Sequence, residues 1–427
     1  MLRPRSPRVG RALAGDVDDR TIVAAAPDAW PWPGESALPG TGSGELGRRA
    51  AGFGERAIDV WATLRRLFGA LESRVTSEAL VFPLAVGIAS RIYASFLIAL
   101  MPLADPTAGI PRLTVFRNPF IQWDSQWYIT IANLGYHAGP MQSGPFGGRH
   151  DFAFFPGWPL LLGAFRPLGL APEDIAAPLA NILFVLAGLV IFRVFDRKFG
   201  RSAAKWGLVL LAFSPPAYVL SMGYSEPLYL LLIAGVFATT GPVRAVLSAA
   251  VGITRVSGLA LAAASGVRWL RAWRDWTPFF TALAAGVAFA SWWIYIWILT
   301  GDPMGWLQGS AQWSHTLGLP AIWSAISTGY QAGIGALLFV ALILGASIAL
   351  LRYDLELGLY SILAIGMSVI GAPVESMPRH ALAAFPAFGL LAWKLGPKRS
   401  ILLAIVFGLV EANYLILAFV GPMPLAP

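Results

Sequence analysis

No cysteine occurs among the 427 residues, and histidine occurs only four times. The first absence excludes a disulfide framework and a thiolate metal centre. The second, with no HExxH-like spacing, leaves little from which to build a metal site, and no cofactor is expected. Charge is thin as well: Asp, Glu, Lys and Arg make up 13% of the chain, where soluble domains carry about 25%. A chain so poor in charge, 56% hydrophobic and with a mean hydropathy of +0.64, must place most of its surface in hydrocarbon. No apolar stretch follows the early arginines, so the N-terminus does not read as a signal peptide.

What the chain does have is apolar runs long enough to cross a bilayer as helices, which satisfy their own backbone hydrogen bonds. Residues 1–54, rich in Arg, Gly, Pro and Ala, read as a disordered tail. Residues 55–78 carry Ile58, Trp61, Leu64, Leu67, Phe68 and Leu71 at helical spacing with arginines between, which reads either as a surface-lying amphipathic helix or as a linker. The domain proper spans 79–427. Its first span covers about 79–103, and a long loop at 104–173 follows. Further spans are expected near 175–195, 203–222, 227–241, 279–300, 332–351, 357–372, 380–394 and 400–420. The apolar stretch 243–270, interrupted by Thr254, Arg255 and Ser257, reads as two short helices that meet at the outer face.

The net charge of +8 would suggest nucleic acid in a soluble protein. Here the basic residues gather in short loops, which points to topology and to membrane lipids as partners, and no nucleic-acid role is expected. With the N-terminus inside, Arg197, Lys198, Arg201, Lys205, Arg268, Arg271, Arg274, Lys394, Lys398 and Arg399 fall on the cytoplasmic side. The loops at 104–173 and 301–331 fall outside. The expectation is an all-α polytopic bundle of about 11 spans, with 153–170 a helix that enters the outer leaflet without crossing.

The polar residues of the outer side carry the candidate chemistry. Trp123-Asp124-Ser125-Gln126-Trp127-Tyr128 puts Asp124 and Tyr128 on one helical face at the interface. Asp124 reads as a general base for an acceptor hydroxyl or as the cap of a helix that starts at Ser125, and the two roles are compatible. His150-Asp151, ahead of Phe152-Ala153-Phe154-Phe155-Pro156-Gly157-Trp158-Pro159, could bind sugar or acceptor, while the aromatics read as a pocket wall or as interfacial anchors. Tyr224-Ser225-Glu226-Pro227 opens a helix, so Glu226 is a helix-start carboxylate or a ligand for sugar hydroxyls. Arg255, Arg379 and His380 face the same side. Arginine suits phosphate, although Arg379 alone also fits a snorkelling flank. Arg91, in mid-span, needs a partner, for which Glu411 is the candidate.

Taken together, Trp123-Asp124 to Gly135-Tyr136, then His150 to Pro159, then Tyr224-Ser225-Glu226, then Arg379-His380 to Phe385-Pro386 resemble the PIG-V-like mannosyltransferases, in the same order over about 80–395. The resemblance implies a GT-C membrane bundle with its active site at the outer face and a catalytic acid in the first outer loop, a role that maps onto Asp124. It implies a polyprenyl-phosphate-linked mannose donor and a multi-pass protein of the plasma membrane with an extracytoplasmic site. The Ala-, Gly-, Pro- and Arg-rich composition points to a GC-rich, actinobacterium-like genome, so a glycolipid, lipoglycan or protein acceptor is expected rather than a GPI anchor. Two departures bear on the acceptor. Arg149 stands where the family often places an acid, with Asp151 after the histidine, and extra residues at about 137–148 precede the run.

The expected reaction is inverting transfer. Asp124 deprotonates the acceptor, and the phosphate leaves on Arg255, Arg379 and His380. Tyr128, His150, Asp151, Tyr224 and Glu226 are the candidates for sugar or acceptor contact. The rival readings are a secondary transporter, against which no inverted repeat is found, and a non-catalytic membrane partner in a cell-envelope glycan pathway. The discriminator is whether Asp124, Arg255 and Arg379 converge on one outward cavity that opens sideways to lipid, or lie on unrelated faces.

Overall fold

The computed structural model describes residues 77–104, 118–140, 148–312, 318–328 and 331–420. The tail expected at 1–54 and the segment at 55–76 lie outside them. The described residues form helices and turns and no strand. In chain order the helices are α1 (Ser77–Ala104), α2 (Asp124–Leu134), α3 (Gly157–Gly163), α4 (Pro172–Phe199) and α5 (Arg201–Ala212). Then come α6 (Glu226–Ala238), α7 (Gly241–Gly252), α8 (Gly258–Arg271), α9 (Trp276–Thr300) and α10 (Gly305–Ala311). The last are α11 (Gly318–Ser327), α12 (Gln331–Leu350), α13 (Leu355–Gly371), α14 (Met377–Ala381) and α15 (Pro386–Val420). Five of them, α1, α4, α9, α12 and α15, are long and apolar enough to cross a bilayer. The protein is a polytopic all-α membrane protein.

Shorter helices fill the spaces between the long ones, and their ends have specific causes. The stretch 203–222, expected as one span, is α5 followed by a 3₁₀ turn at Ala217–Ser221. Pro215 and Pro216 stop α5, because proline offers no N–H and disfavours helix at the preceding residue. The carbonyls freed there are buried, and Arg91 of α1 answers them. Its Nη2 donates to Ala212 O (3.1 Å), and its Nη1 donates to Ala217 O and to Ser221 Oγ (both 2.9 Å). The guanidinium also lies over the Phe184 ring. The pairing with Glu411 expected from sequence is therefore not formed. A helix C-terminus, with its exposed carbonyls and negative dipole end, is the better partner.

This arrangement sets the two residues apart energetically. Arg91→Leu strands the carbonyls and is expected to destabilise the fold by about 3 kcal/mol. Glu411→Gln leaves no hydrogen bond broken, since neither Glu411 oxygen has a hydrogen-bond partner. Thermal unfolding in detergent, with both variants side by side, checks the contrast.

The break expected at Thr254–Ser257 is present between α7 and α8. Two glycines make so tight a reversal possible. A Cβ on Gly258 would stand 2.8 Å from Gly252 Cα, and one on Gly252 would stand 2.4 Å from Ala285 O in α9. α15 is two helical segments that meet at Gly396, whose φ of 71° leaves the helical region, with Pro397 opening the second. That corner matches the boundary expected between 394 and 400. α3 has seven residues, about 10 Å of helix, and so cannot cross.

Candidate active site

Four segments distant in sequence meet at one cluster of charge. α2 brings Asp124 and Tyr128. The turn into α6 brings Tyr224, Ser225 and Glu226, the α7–α8 break brings Arg255, and α14 brings Arg379 and His380. Arg379 Nη1 lies 2.5 Å from Asp124 Oδ2 and 3.8 Å from Glu226 Oε1. Arg255 Nη1 lies 2.7 Å from Glu226 Oε1 and donates to Ser225 Oγ at 2.9 Å. Ser225 Oγ also meets Tyr128 Oη at 2.9 Å. The Arg379 guanidinium lies over the Tyr224 ring, 5.2 Å from its centroid, and the Tyr224 hydroxyl is buried without a hydrogen-bond partner.

The protonation of His380 follows from its contact. Arg255 Nη2 approaches His380 Nδ1 at 2.9 Å. Guanidinium only donates, so Nδ1 accepts, and the imidazole is neutral with its proton on Nε2. Two arginines and two carboxylates therefore make a quartet without net charge. Asp124 is its most open member, with 16% of its side chain exposed against 4% for Glu226 and 9% for each arginine. Burial pushes the Asp124 carboxyl above the usual aspartate range, with Arg379 pulling it back.

Neither carboxylate caps its helix. α2 starts at Asp124, its N-cap position is Trp123, and no side-chain cap bond forms. Asp124 is spent on Arg379 instead, which removes the capping alternative. Glu226, likewise first in its helix, turns to Arg255. Trp123 has φ 52° and ψ −119°, the single non-glycine residue at positive φ among the described residues. Such a conformation is strained for any side chain with a Cβ. Its ring is held edge-on against Phe419 of α15, with centroids 4.9 Å apart.

The run from His150 to Pro159 holds these segments together. Phe154 stacks on Trp127 and meets Tyr128 edge-on. Trp158 Nε1 donates to Gly223 O (2.9 Å), and Gly157 N donates to Ile253 O (2.8 Å) in the break that carries Arg255. Any side chain at 157 would strike that break, because a Cβ there would lie 2.5 Å from Thr254 Oγ1 and 2.9 Å from Thr254 Cα. Gly157→Ala is expected to displace Arg255 and to destabilise the protein by about 1–3 kcal/mol. Donor KM together with thermal unfolding checks it.

His150 and Asp151 do not join the quartet. Asp151 is fully buried, and its Oδ2 accepts from His137 N (3.1 Å) and lies 2.8 Å from His137 Nδ1. His150 N donates to Gln312 Oε1 (3.0 Å), and its ring lies on Phe152. Asp151 thus has a local partner in His137, which stands at the start of the extra residues that precede the run.

Residues 110–270 match the family model described as Mannosyltransferase (PIG-V). That stretch is similar to the PIG-V mannosyltransferases. Two curated proteins similar to it are both described as GPI alpha-1,6-mannosyltransferase 2. The one from Cricetulus griseus is 33% identical over 158 residues, covering 34% of this chain and 28% of that protein. The one from Rattus norvegicus is 33% identical over 179 residues, covering 39% and 32%. The matched stretch thus spans about a third of those relatives' own length. Among solved structures, an oligosaccharyltransferase of Archaeoglobus fulgidus tethered to an acceptor peptide aligns with 80% of this chain and 54% of its own, at 12% identity and a TM-score of 0.37.

The PIG-V-like stretch contains Asp124, Tyr128, Tyr224, Glu226 and Arg255, three arms of the cluster, while Arg379 and His380 lie beyond it and complete the cluster from α14. Sequence reasoning missed Ser225, which joins Tyr128 to Arg255, although it sits inside the Tyr224-Ser225-Glu226 run. It also missed the bracing role of Gly157 and Trp158, whose signal was the Phe155-Pro156-Gly157-Trp158 run itself.

Proposed function

We propose that the chain is an integral-membrane mannosyltransferase that moves mannose from polyprenyl-phosphate-mannose to an acceptor hydroxyl at the extracytoplasmic face of the plasma membrane. The reading is supported by the convergence of Asp124, Arg255 and Arg379 on one cluster and by the mannosyltransferase family match of residues 110–270. Asp124, the most open member, takes the proton of the acceptor hydroxyl. The acceptor oxygen bonds to the anomeric carbon as the bond from that carbon to the phosphate oxygen breaks, with inversion. The lipid phosphate leaves with the electron pair, stabilised by Arg255 and Arg379, and His380 Nε2–H supplies a further donor. Tyr128, Tyr224 and Glu226 shape the site around the sugar.

Both arginines are engaged by carboxylates before substrate arrives. A phosphate that enters on the Asp124 side of Arg379 exchanges for that carboxylate. That exchange frees the carboxylate as a base at the moment the donor is in place. The test is membranes carrying the protein, incubated with radiolabelled polyprenyl-phosphate-mannose. Label in a new product that depends on the protein is expected, and identifying that product names the acceptor. Absence of transfer from this donor overturns the reading.

A further inference from the structure

The site has a counterpart at the other end of the helices that carry its arginines. Arg244 is in the first turn of α7 and Arg268 in the last turn of α8, so both lie at the opposite end of that hairpin from Arg255. Both converge on Glu356, in the first turn of α13, and the far end of α13 leads into α14 with Arg379 and His380. Glu356 is 2% exposed. Its Oε1 receives Arg244 Nη2 and the hydroxyl of Ser265 (2.7 Å), and its Oε2 receives Arg268 Nη1 (2.7 Å). Arg244 is fixed in turn by donation from Nε to Thr281 Oγ1 of α9 (2.8 Å).

Between this cluster and the site, α8 packs against α13, and both helices put small or apolar residues into the core, among them Ala260, Leu261, Ala264, Ala364 and Ile365. Hydrogen-bonded charge has one good geometry. A buried ion cluster adds little net stability over an apolar replacement, and its best-attested use is to select register. α13 has 17 residues, about 25 Å, so a small tilt or slide at its base moves its far end by a comparable or greater amount.

We infer that Glu356 is a positioning residue. By clamping the base of the α7–α8 hairpin to the base of α13, it sets the separation of Arg255 from Arg379 and His380 at the site. The inference rests on the proposed phosphate-binding role of those residues for its kinetic consequence, but not for its structural one.

The experiment uses the full-length protein in lipid nanodiscs. Because the chain has no cysteine, Val256→Cys and Glu375→Cys place spin labels at the two sides of the site and nowhere else. A single narrow inter-label distance is expected with Glu356 intact. Glu356→Gln and Arg268→Gln should broaden or shift it. In the unlabelled protein they should raise donor KM on the order of tenfold to a hundredfold, with kcat far less affected. Arg268 is 41% exposed, so its variant spares the fold and decides the matter if Glu356→Gln fails to assemble. Unchanged distances in a folded variant overturn the inference, whether or not mannosyl transfer is observed. Unchanged distances with raised KM overturn it as well.

Discussion

Asp124→Asn is expected to abolish mannosyl transfer while strengthening the grip on the lipid phosphate. Asparagine keeps the size of the side chain but cannot accept the proton, so the loss in kcat should be about 10²–10⁴-fold, the usual worth of a general base. The opposite sign in binding follows from the 2.5 Å contact with Arg379. The carboxylate competes with phosphate for one guanidinium, and the neutral amide competes poorly. Titration of polyprenyl phosphate against both forms should therefore give the lower Kd for the variant. A carboxylate that merely held Arg379 in place would give the reverse, weaker binding together with lost activity, and would remove Asp124 from the chemistry.

The second large effect concerns Arg379→Gln. It removes one of the two arginines proposed to hold the phosphate and leaves Asp124 without its closest counter-charge. Donor kcat/KM should fall about 10²–10³-fold, the scale of losing one charge-stabilising donor. Its pH profile carries the diagnostic. Asp124 must be ionised to act as a base, so activity rises with pH through its pKa. Burial already holds that pKa above the ordinary aspartate range, and Arg379 is the largest influence that lowers it. Removing the arginine raises it further, so the acid limb of kcat/KM should move to higher pH. An acid limb that stays in place would mean that the titrating group is not Asp124.

Much of this was legible in the sequence, for identifiable reasons. The helical class follows from composition, and the α7–α8 break from three polar residues in an apolar stretch. The members of the charge cluster were legible because ionisable groups beside hydrocarbon are costly and so conspicuous. What failed depended on partners that no local pattern contains. Arg91 was matched to Glu411, an acid deep in the last span, while its actual partners are Ser221 and the carbonyls exposed where two prolines stop α5. Asp151 was read as a ligand, and its contact with His137, on the far side of the extra residues, was not foreseen. Helix length was also over-read at 203–222, because apolar residues continue through a proline break without carrying the helix with them.

Trp123 has a consequence for motion. A residue in a sparsely populated conformation persists only while its surroundings over-determine it, and relaxation returns about 1–3 kcal/mol. Here the Trp123 ring packs edge-on against Phe419, near the end of the last helix, and against the core around it. Lifting that ring releases the energy into the peptide that precedes Asp124 and re-aims the first turn of α2. Folding thus stores strain in the backbone directly beside the carboxylate proposed as the base.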